Sequence, residues 1–430
     1  MTATEVGYEQ VRAWVKARVE QTHTTVVQTI AWAVLCVLVA QRVTPAALAR
    51  ALPAEHASSG RARLTRGRRW WTGPVVDQAV VSPQLITNAL ALLSPGQAVV
   101  VALDTTRLGK WEVWLAGIVV AGRTRPIGWA AIPYPWPKGR FRCTTLTLLQ
   151  RMPAAFPVGV RWRLVADRGF PSAALFAQLR QGGTDFSVRL RLSDGVTVAG
   201  VYAKVADHLV SGRLRHGQRT AATLGRGRPD QPLVPGWVVV SATVASVPQH
   251  KRNLGTLRER AKRAKAHRQH RLHKQGRKTT PPSATAQRYA QTWVLFTTAP
   301  TVQQAVREYA QRMPIEETFR DWHTGWGVRA AVSGLPTEPM VERLIGVVCL
   351  AYSLQMQLGQ RLSTDPVGRQ RRAQWTVTDR VSWFWCGQRL FADPGYNWHA
   401  WLAAQWASLT ILPAPPLLNP LSPPMLAEAA

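Results

Sequence analysis

The sequence contains few acidic side chains. Only 23 of its 430 residues are Asp or Glu, against 54 Lys and Arg, so the formal net charge is +31. A chain with this excess of positive charge repels itself unless a polyanion or an anionic surface neutralises it. The expected partner is therefore nucleic acid or, with less weight, anionic lipid. Lysine is also scarce, with 9 Lys against 45 Arg. Arginine suits bidentate phosphate contacts, although a GC-rich genome also replaces lysine by arginine.

Cysteine and long apolar runs are scarce as well. The four cysteines lie far apart and form no C-x-x-C pair, which excludes a zinc ribbon and a disulfide framework. The apolar run at residues 29–40 is shorter than the roughly 20 residues that cross a bilayer, so it predicts a buried core helix. Several charges of both signs precede this run, which argues against a signal peptide. We therefore expect a cytoplasmic protein with no membrane partner.

The proportion of apolar residues and the chain length predict a folded protein of several structural units. Apolar residues make up 46% of the sequence, enough for a sizeable core in two to four structural units. Residues 1–96 have the periodicity of helices and end in an arginine cluster at residues 61–69. This combination fits a small N-terminal DNA-binding domain, and a solvated basic loop is the equal alternative for the cluster.

The pattern changes at residue 97. An apolar run ends at Asp104, and a second strand-like run is followed by Asp167. From residue 98 onward the predicted order is three strands, a helix, a strand, a helix and a strand. They cover residues 98–104, 111–120, 126–133, 143–151, 161–166, 171–180 and 186–192. This order predicts an α/β layer with a mixed sheet.

Residues 194–291 interrupt this order with β-like pieces and one strongly basic run. Residues 251–278 hold 12 Lys and Arg and the single acid Glu259, a local charge of +11. Such a run is usually a solvated face, but here we interpret it as an arm that follows DNA phosphates. Residues 292–362 return to one strand and several helices. Residues 363–430 are rich in tryptophan and end in a proline-rich tail.

Two groups of residues point to chemistry. If the strands that precede Asp104 and Asp167 are neighbours, their carboxylates meet at one edge, where they could bind Mg²⁺ or Mn²⁺. Strand-end aspartate is also common as a turn residue. Further along, Tyr309, Arg312, Glu316 and His323 fall within about 60° of one another around an α-helix. The alternative there is an exposed polar face with an Arg–Glu pair, and Pro314 predicts a kink with a second helix beginning beside it.

Together these motifs resemble the DDE transposases of bacterial insertion sequences, in the insertion-sequence family four branch. Tyr309, Arg312 and Glu316 match the Y-x2-R-x3-E part of its Y-x2-R-x3-E-x6-K signature. LDTT at residues 103–106, ADRGF at residues 166–170 and WVLFTT at residues 293–298 are similar to its other motifs. The resemblance covers roughly residues 30–360. The family's lysine falls at His323, and a neutral imidazole brings no full charge near pH 7.

The resemblance implies a ribonuclease-H-like catalytic core with a β-rich insertion, an N-terminal helical DNA-binding domain and a helical C-terminal region. The corresponding division is residues 1–96, 97–193, 194–291, 292–362 and 363–430, with the core formed by the second and fourth ranges and the insertion by the third. Asp104, Asp167 and Glu316 would be the catalytic residues and would hold two Mg²⁺ ions, for which Mn²⁺ could substitute.

The resemblance also implies a set of DNA contacts. These would come from Tyr309, Arg312, His323 and Arg320, with Trp293 stacking on an extruded base; a core tryptophan is the alternative for Trp293. The partners would be double-stranded DNA, as terminal inverted repeats and target, and a second copy of the chain on paired ends. Two alternatives stay open: a ribonuclease-H-like nuclease without strand transfer, and a decayed relative that only binds DNA.

Overall fold

The computed structural model describes residues 3–19, 23–52, 59–65, 78–94, 97–241, 292–375, 382–393 and 397–410. The basic run 251–278, part of the arginine cluster and the proline-rich tail lie outside these residues. The chain divides into two compact units. The first consists of Met1–Ala166, Gln181–Thr184 and Ala310–Ala430, and the second of Asp167–Arg180 and Asp185–Tyr309.

The first unit contains a mixed sheet, as its sequence pattern predicts. Its strands are β1 (Val99–Leu108), β2 (Trp111–Val120), β3 (Arg123–Pro133) and β4 (Trp162–Ala166), in the order β3-β2-β1-β4. β1 is antiparallel to β2 and parallel to β4. All ten residues of β2 are buried, because strands pair with both of its edges and the helices Gln78–Leu90 and Met313–Arg320 pack against it. The helix Arg140–Ala155 connects β3 to β4.

The position of Asp104 differs from the strand end that its sequence predicts. β1 continues for four residues past it, to Leu108. The parallel partner β4 stops at Ala166, opposite Leu103, whereas the antiparallel pairing with β2 continues to Leu108 and Trp111. Asp104 is therefore the first residue of β1 beyond the parallel pairing, within a strand that goes on into a tight turn.

Helices make up most of the remaining described residues of the first unit. The longest is Glu338–Thr364. The others are Ala3–Lys16, Thr24–Ala40, Pro45–Ala51, Gln78–Leu90, Met313–Arg320, Val328–Ser333, Pro366–Trp375, Trp383–Ala392 and Trp398–Thr410. The N-terminal helices pack on the longest one, where Trp14 Nε1 donates to Gln357 Oε1 over 2.9 Å. The predicted helical character of both chain ends is confirmed for the described residues.

The apolar run at residues 29–40 lies in the helix Thr24–Ala40, and its residues from Ile30 to Leu38 are buried. Among the described residues, no single helix is long and apolar enough to cross a membrane. The helices Thr24–Ala40 and Pro45–Ala51 together are long and apolar enough to cross a membrane, but the chain bends by 95° between them.

The second unit is built on six antiparallel strands. They are β5 (Asp185–Arg189), β6 (Gly195–Val198), β7 (Val201–Lys204), β8 (Arg219–Leu224), β9 (Val234–Val240) and β10 (Val294–Thr297), in the order β5-β10-β9-β8-β6-β7. The helices Ala173–Gln181, Val205–Val210 and Val302–Ala310 accompany them. The strands β6 to β9 confirm the β-rich character predicted for residues 194–291, as far as those residues are described.

Candidate active site

A single arginine joins two of the three predicted catalytic acids. Arg312 Nη1 donates to Asp104 Oδ2 over 2.7 Å, and Arg312 Nη2 donates to Glu316 Oε1 over 2.5 Å. The arginine side chain is 7% exposed, Asp104 is 19% exposed and Glu316 is 47% exposed. The guanidinium is thus almost buried between two carboxylates that reach solvent. Both pairs are charge-assisted hydrogen bonds of the short, strong kind.

A break in the helix puts Arg312 in this position. The helix Val302–Ala310 ends two residues before it, and a new helix, Met313–Arg320, begins directly after it with Pro314 in the first turn. Proline suits that position, because the first amide groups of a helix have no intrahelical acceptor. The predicted kink is confirmed. Tyr309 and Glu316 therefore do not lie on one continuous helix, and the single arc expected from the spacing does not form.

His323 pairs with a threonine on the strand that carries Asp104. Its Nε2 lies 2.9 Å from Thr106 Oγ1, so the two groups share a hydrogen bond. The helix Met313–Arg320 continues into a π-helical turn, Asp321–Gly325, which carries His323. Burial lowers the pKa of His323, and the nearby positive charge of Arg329 lowers it further. The imidazole is consequently neutral at pH 7 and acts through hydrogen bonding.

Arg320 pairs with an acid that is not one of the three predicted catalytic residues. Its side chain is 63% exposed and pairs with Glu317, three residues before it on the same helix. An exposed pair of this kind contributes little to stability, so the guanidinium can exchange this partner for another anion. Its predicted role as a DNA contact stays a prediction.

The third predicted acid, Asp167, belongs to the second unit with Tyr309 and Trp293. Tyr309 Oη donates to Asp167 Oδ1 over 3.1 Å, and Arg189 Nη1 lies 3.9 Å from the same oxygen. The Trp293 ring packs edge-on against the Tyr309 ring, with the centroids 4.8 Å apart. Trp293 is 8% exposed. In this structure it supports Tyr309 from the core, so the core alternative describes its present position, and base stacking stays a prediction.

The sheet register pairs the residues that precede the two predicted aspartates in the sequence. Leu103 pairs with Ala166 across the parallel strands β1 and β4. Each of the two aspartates follows one member of this pair in the chain. The predicted neighbourhood of the two aspartate-bearing strands is thus confirmed.

The chemistry of the donors fits a divalent cation. Carboxylate oxygens are the ligands that Mg²⁺ prefers, and those of Asp104 and Glu316 already share one cationic group, the Arg312 guanidinium. Among the residues that the structure describes, no three His, Cys, Asp or Glu side chains are grouped closely enough to hold a metal ion. Metal binding by Asp104 and Glu316 in the first unit and by Asp167 in the second stays a prediction.

Two residues near these acids escape prediction from the sequence. Thr106 belongs to the LDTT motif, so the motif itself could have drawn attention to it. Arg189 is one of the polar residues that alternate with apolar ones in β5, and that alternation indicates only an accessible face. Its approach to Asp167 depends on the fold.

Comparison with known families bears on this site. Residues 144–354 match the family model of the transposase DDE domain. The matched range contains Asp167, the helix break at Arg312 and Glu316, and it starts after Asp104. The match supports a DDE transposase and hence a transposase function with DNA as partner. No curated protein matches the chain.

Proposed function

We propose that this protein is a DDE transposase of an insertion sequence, which cuts DNA at the element ends and joins those ends to target DNA. The observation that carries the proposal is the bridge from Asp104 through Arg312 to Glu316. It ties a strand and a helix that are far apart in the sequence, at two of the three acids of the family pattern. The match to the transposase DDE domain supports the same assignment.

In this proposal Asp104, Asp167 and Glu316 would hold two Mg²⁺ ions. When bound, the ions would make the attacking oxygen a better nucleophile and stabilise charge on the leaving oxygen. Arg312 orients Asp104 and Glu316, and Tyr309 orients Asp167 through the bond to Oδ1. Arg320 and His323 would contact the DNA backbone. These side chains position the reacting groups. Such positioning accounts for a large share of the rate acceleration in phosphoryl transfer.

Both reaction steps exchange one bond to phosphorus for another. In the first, a water oxygen bonds to phosphorus at the element end and the bond to the 3′ oxygen breaks, which leaves a free 3′-hydroxyl. In the second, that hydroxyl attacks a target phosphodiester and displaces the target's own 3′ oxygen. Neither step requires a covalent bond between protein and DNA. Cutting two ends together implies a homodimer on paired ends.

The test is a strand-transfer assay with the full chain. Inverted repeats in the DNA that flanks the gene would supply the end sequence for a labelled duplex, which is mixed with plasmid and Mg²⁺. We expect label joined to plasmid, and none with Asp104→Asn. Cleaved ends without joined products would favour the ribonuclease-H-like nuclease instead. Binding without cleavage would favour the DNA-binding relative, to which the loss of the family's lysine at His323 gives some support.

A further inference from the structure

The strands β6 to β9 of the second unit have two unlike faces. One face is apolar and buried, with Val196, Val198, Leu224 and Val238 at 7% exposure or less. The other face is partly exposed and carries polar side chains, although Val239, which pairs with Arg219, is buried. The strand pairings align on it Thr197 with Tyr202, Gly195 with Lys204, Thr197 with Thr223, and Ala221 with Trp237. We call these residues, with Arg219 and Arg226, the open sheet face.

Two arginines of the open sheet face are held by aromatic rings. The Arg219 guanidinium lies 3.4 Å from the centre of the Trp237 ring. Arg226 Nε donates to Tyr202 Oη over 2.9 Å, and its guanidinium lies 4.9 Å from the Tyr202 ring. Such contacts restrict a long side chain before any ligand arrives, so less conformational entropy is lost when the ligand binds.

A glycine makes room for one of these rings. A Cβ atom on Gly195 would lie 2.1 Å from Tyr202 Oη, so the tyrosine lies directly over the glycine. Because Gly195 pairs with Lys204 at the end of β6, this arrangement brings the ring and a lysine to the same edge of the sheet. The position of Tyr202 is thus defined by the backbone beneath it and by Arg226.

The charge of the open sheet face has one sign. The four strands contain Arg219 and Lys204 and no Asp or Glu, and Arg226 follows β8. A face with three cations and no acid on its strands complements a polyanion. The strong positive charge continues along the chain, because the basic run with its local charge of +11 lies in the sequence between β9 and β10.

The same side of this sheet also leads to Asp167. Through β9, β10 and β5, the register aligns Trp237 with Thr297 and Thr297 with Ser187, and Arg189 lies two residues after Ser187. The helix Val302–Ala310 covers the β5 end of this side, where Ser187 Oγ donates to Glu308 Oε2 over 3.2 Å. The open sheet face is the part that this helix leaves accessible.

We propose that the open sheet face binds the phosphate backbone of DNA through Lys204, Arg219 and Arg226, with Trp237 and Tyr202 positioning the two arginines. Arg219 on β8 and Tyr202 on β7 are two strand spacings apart, about 10 Å. That span corresponds to about three base-pair steps of duplex DNA. Both arginines can therefore contact successive parts of one DNA segment. The choice of DNA as the polyanion rests on the proposed transposase function.

The test compares two triple variants of the full chain that remove the same amount of charge. Lys204→Gln, Arg219→Gln and Arg226→Gln together remove the proposed contacts. Arg180→Gln, Arg361→Gln and Arg369→Gln remove three exposed arginines elsewhere. Affinity for a labelled duplex is measured by fluorescence anisotropy between 50 and 300 mM salt. The slope of log affinity against log salt should fall by about 2.7 in the first variant, at about 0.9 per phosphate contact.

The slope of the control variant should stay at the wild-type value. Equal slopes for both triple variants would overturn the proposal, because the cations of this face would then act only through net charge. Trp237→Leu should weaken binding at fixed salt by releasing Arg219, and Trp237→Phe should restore most of the affinity. If Trp237→Leu binds as tightly as the wild type, the positioning role is wrong.

Failure of this proposal and failure of the proposed function give different results. If the wild type joins DNA ends while the first triple variant keeps the wild-type salt slope, the open sheet face is not a DNA contact and the transposase assignment stands. If the wild type neither cuts nor joins DNA while the triple variant loses the slope, the face binds DNA and the catalytic assignment falls.

Discussion

Arg312 donates a hydrogen bond to Asp104 across 208 positions of sequence, over 2.7 Å. The contact couples the residue directly before the helix Met313–Arg320 to the strand that carries the first acid of the predicted triad. Because the same guanidinium also binds Glu316, the two carboxylates are held near each other while their charges are compensated. A divalent cation that binds these oxygens has to compete with the arginine.

This competition predicts opposite effects on metal affinity and on catalysis. Arg312→Ala should bind Mn²⁺ about tenfold more tightly than the wild type, because two carboxylates lose a compensating charge. Two opposite unit charges in contact near a protein surface attract each other by about 4 kcal/mol. The exposure of Glu316 to solvent makes its attraction to the arginine weaker than this. DNA cleavage should fall about a hundredfold, since the acids lose their orientation. Calorimetric titration with Mn²⁺ and a cleavage assay measure the two effects.

Arg312→Lys is the matched control, because it keeps the charge without the two-pronged geometry. Its Mn²⁺ affinity should stay near that of the wild type. Equal Mn²⁺ affinity for Arg312→Ala and the wild type would show that the arginine does not compete for the carboxylate oxygens.

Asp167 and Tyr309 should differ strongly in their importance for cleavage. Asp167→Asn removes a proposed metal ligand and should reduce cleavage by about a thousandfold, or about 4 kcal/mol. Tyr309→Phe removes the hydrogen bond to Asp167 and keeps the ring against Trp293, so a loss of about tenfold is expected. Asp167→Asn should bind DNA like the wild type. Cleavage by Asp167→Asn at the wild-type rate would remove this residue from the active site.

His323 should make stability depend on pH. The folded protein holds the pKa of this imidazole below its ordinary value through burial and Arg329. The unfolded chain therefore takes up a proton more readily, and the free energy of unfolding should decrease as the pH falls from about 6.5 towards the folded pKa. His323→Gln can keep a hydrogen bond to Thr106 but cannot titrate. Urea unfolding at pH 7.5 and 5.5 should show a smaller pH effect in this variant.

The same position tests the departure from the family signature. His323→Lys introduces the full charge that the signature has at this place, so we expect tighter binding of end-bearing DNA and a steeper salt dependence by about 0.9. The loss of the hydrogen bond to Thr106 should cost about 1 kcal/mol of stability. An unchanged salt slope would indicate that this side chain does not reach a phosphate.

Gly359 should be essential to the packing of the C-terminal region. A Cβ atom there would lie 1.7 Å from the Trp383 carbonyl oxygen and 2.9 Å from the Gly387 nitrogen. The helix Glu338–Thr364 thus meets the helix Trp383–Ala392 backbone to backbone. Glycine to alanine inside a helix normally stabilises it by about 1 kcal/mol, yet Gly359→Ala should destabilise the protein by about 3 kcal/mol.

Gly334→Ala provides the control for that measurement. Its Cβ would have only an ordinary contact, 4.0 Å from the Ala331 carbonyl oxygen. Thermal unfolding of the two variants should therefore differ clearly. Similar transition temperatures would mean that the two helices move apart without cost.

Local patterns in the sequence determined the elements of this protein and its candidate chemistry. Apolar runs and alternation predicted the strands before Asp104 and Asp167. Successive side chains of a strand point to opposite faces of the sheet, and a strand that is buried on both faces is apolar throughout. The spacing of Tyr309, Arg312 and Glu316, with Pro314 between them, predicted both the signature and the break in the helix. These features depend on neighbouring residues, which a sequence displays directly.

Only the tertiary structure decided which of those residues meet. Arg312 binds Asp104, Tyr309 binds Asp167, and His323 binds Thr106, and each of these contacts joins elements that are distant in the sequence. The sequence alone did not show whether Trp293 lies in the core or at the surface, because that depends on its neighbours in space. The helix Trp383–Ala392 carried no recognisable motif, and the structure shows that it meets the helix Glu338–Thr364 through backbone contact at Gly359 and Gly387. Such long-range contacts arise from the complementary shapes of packed elements, which no local pattern encodes.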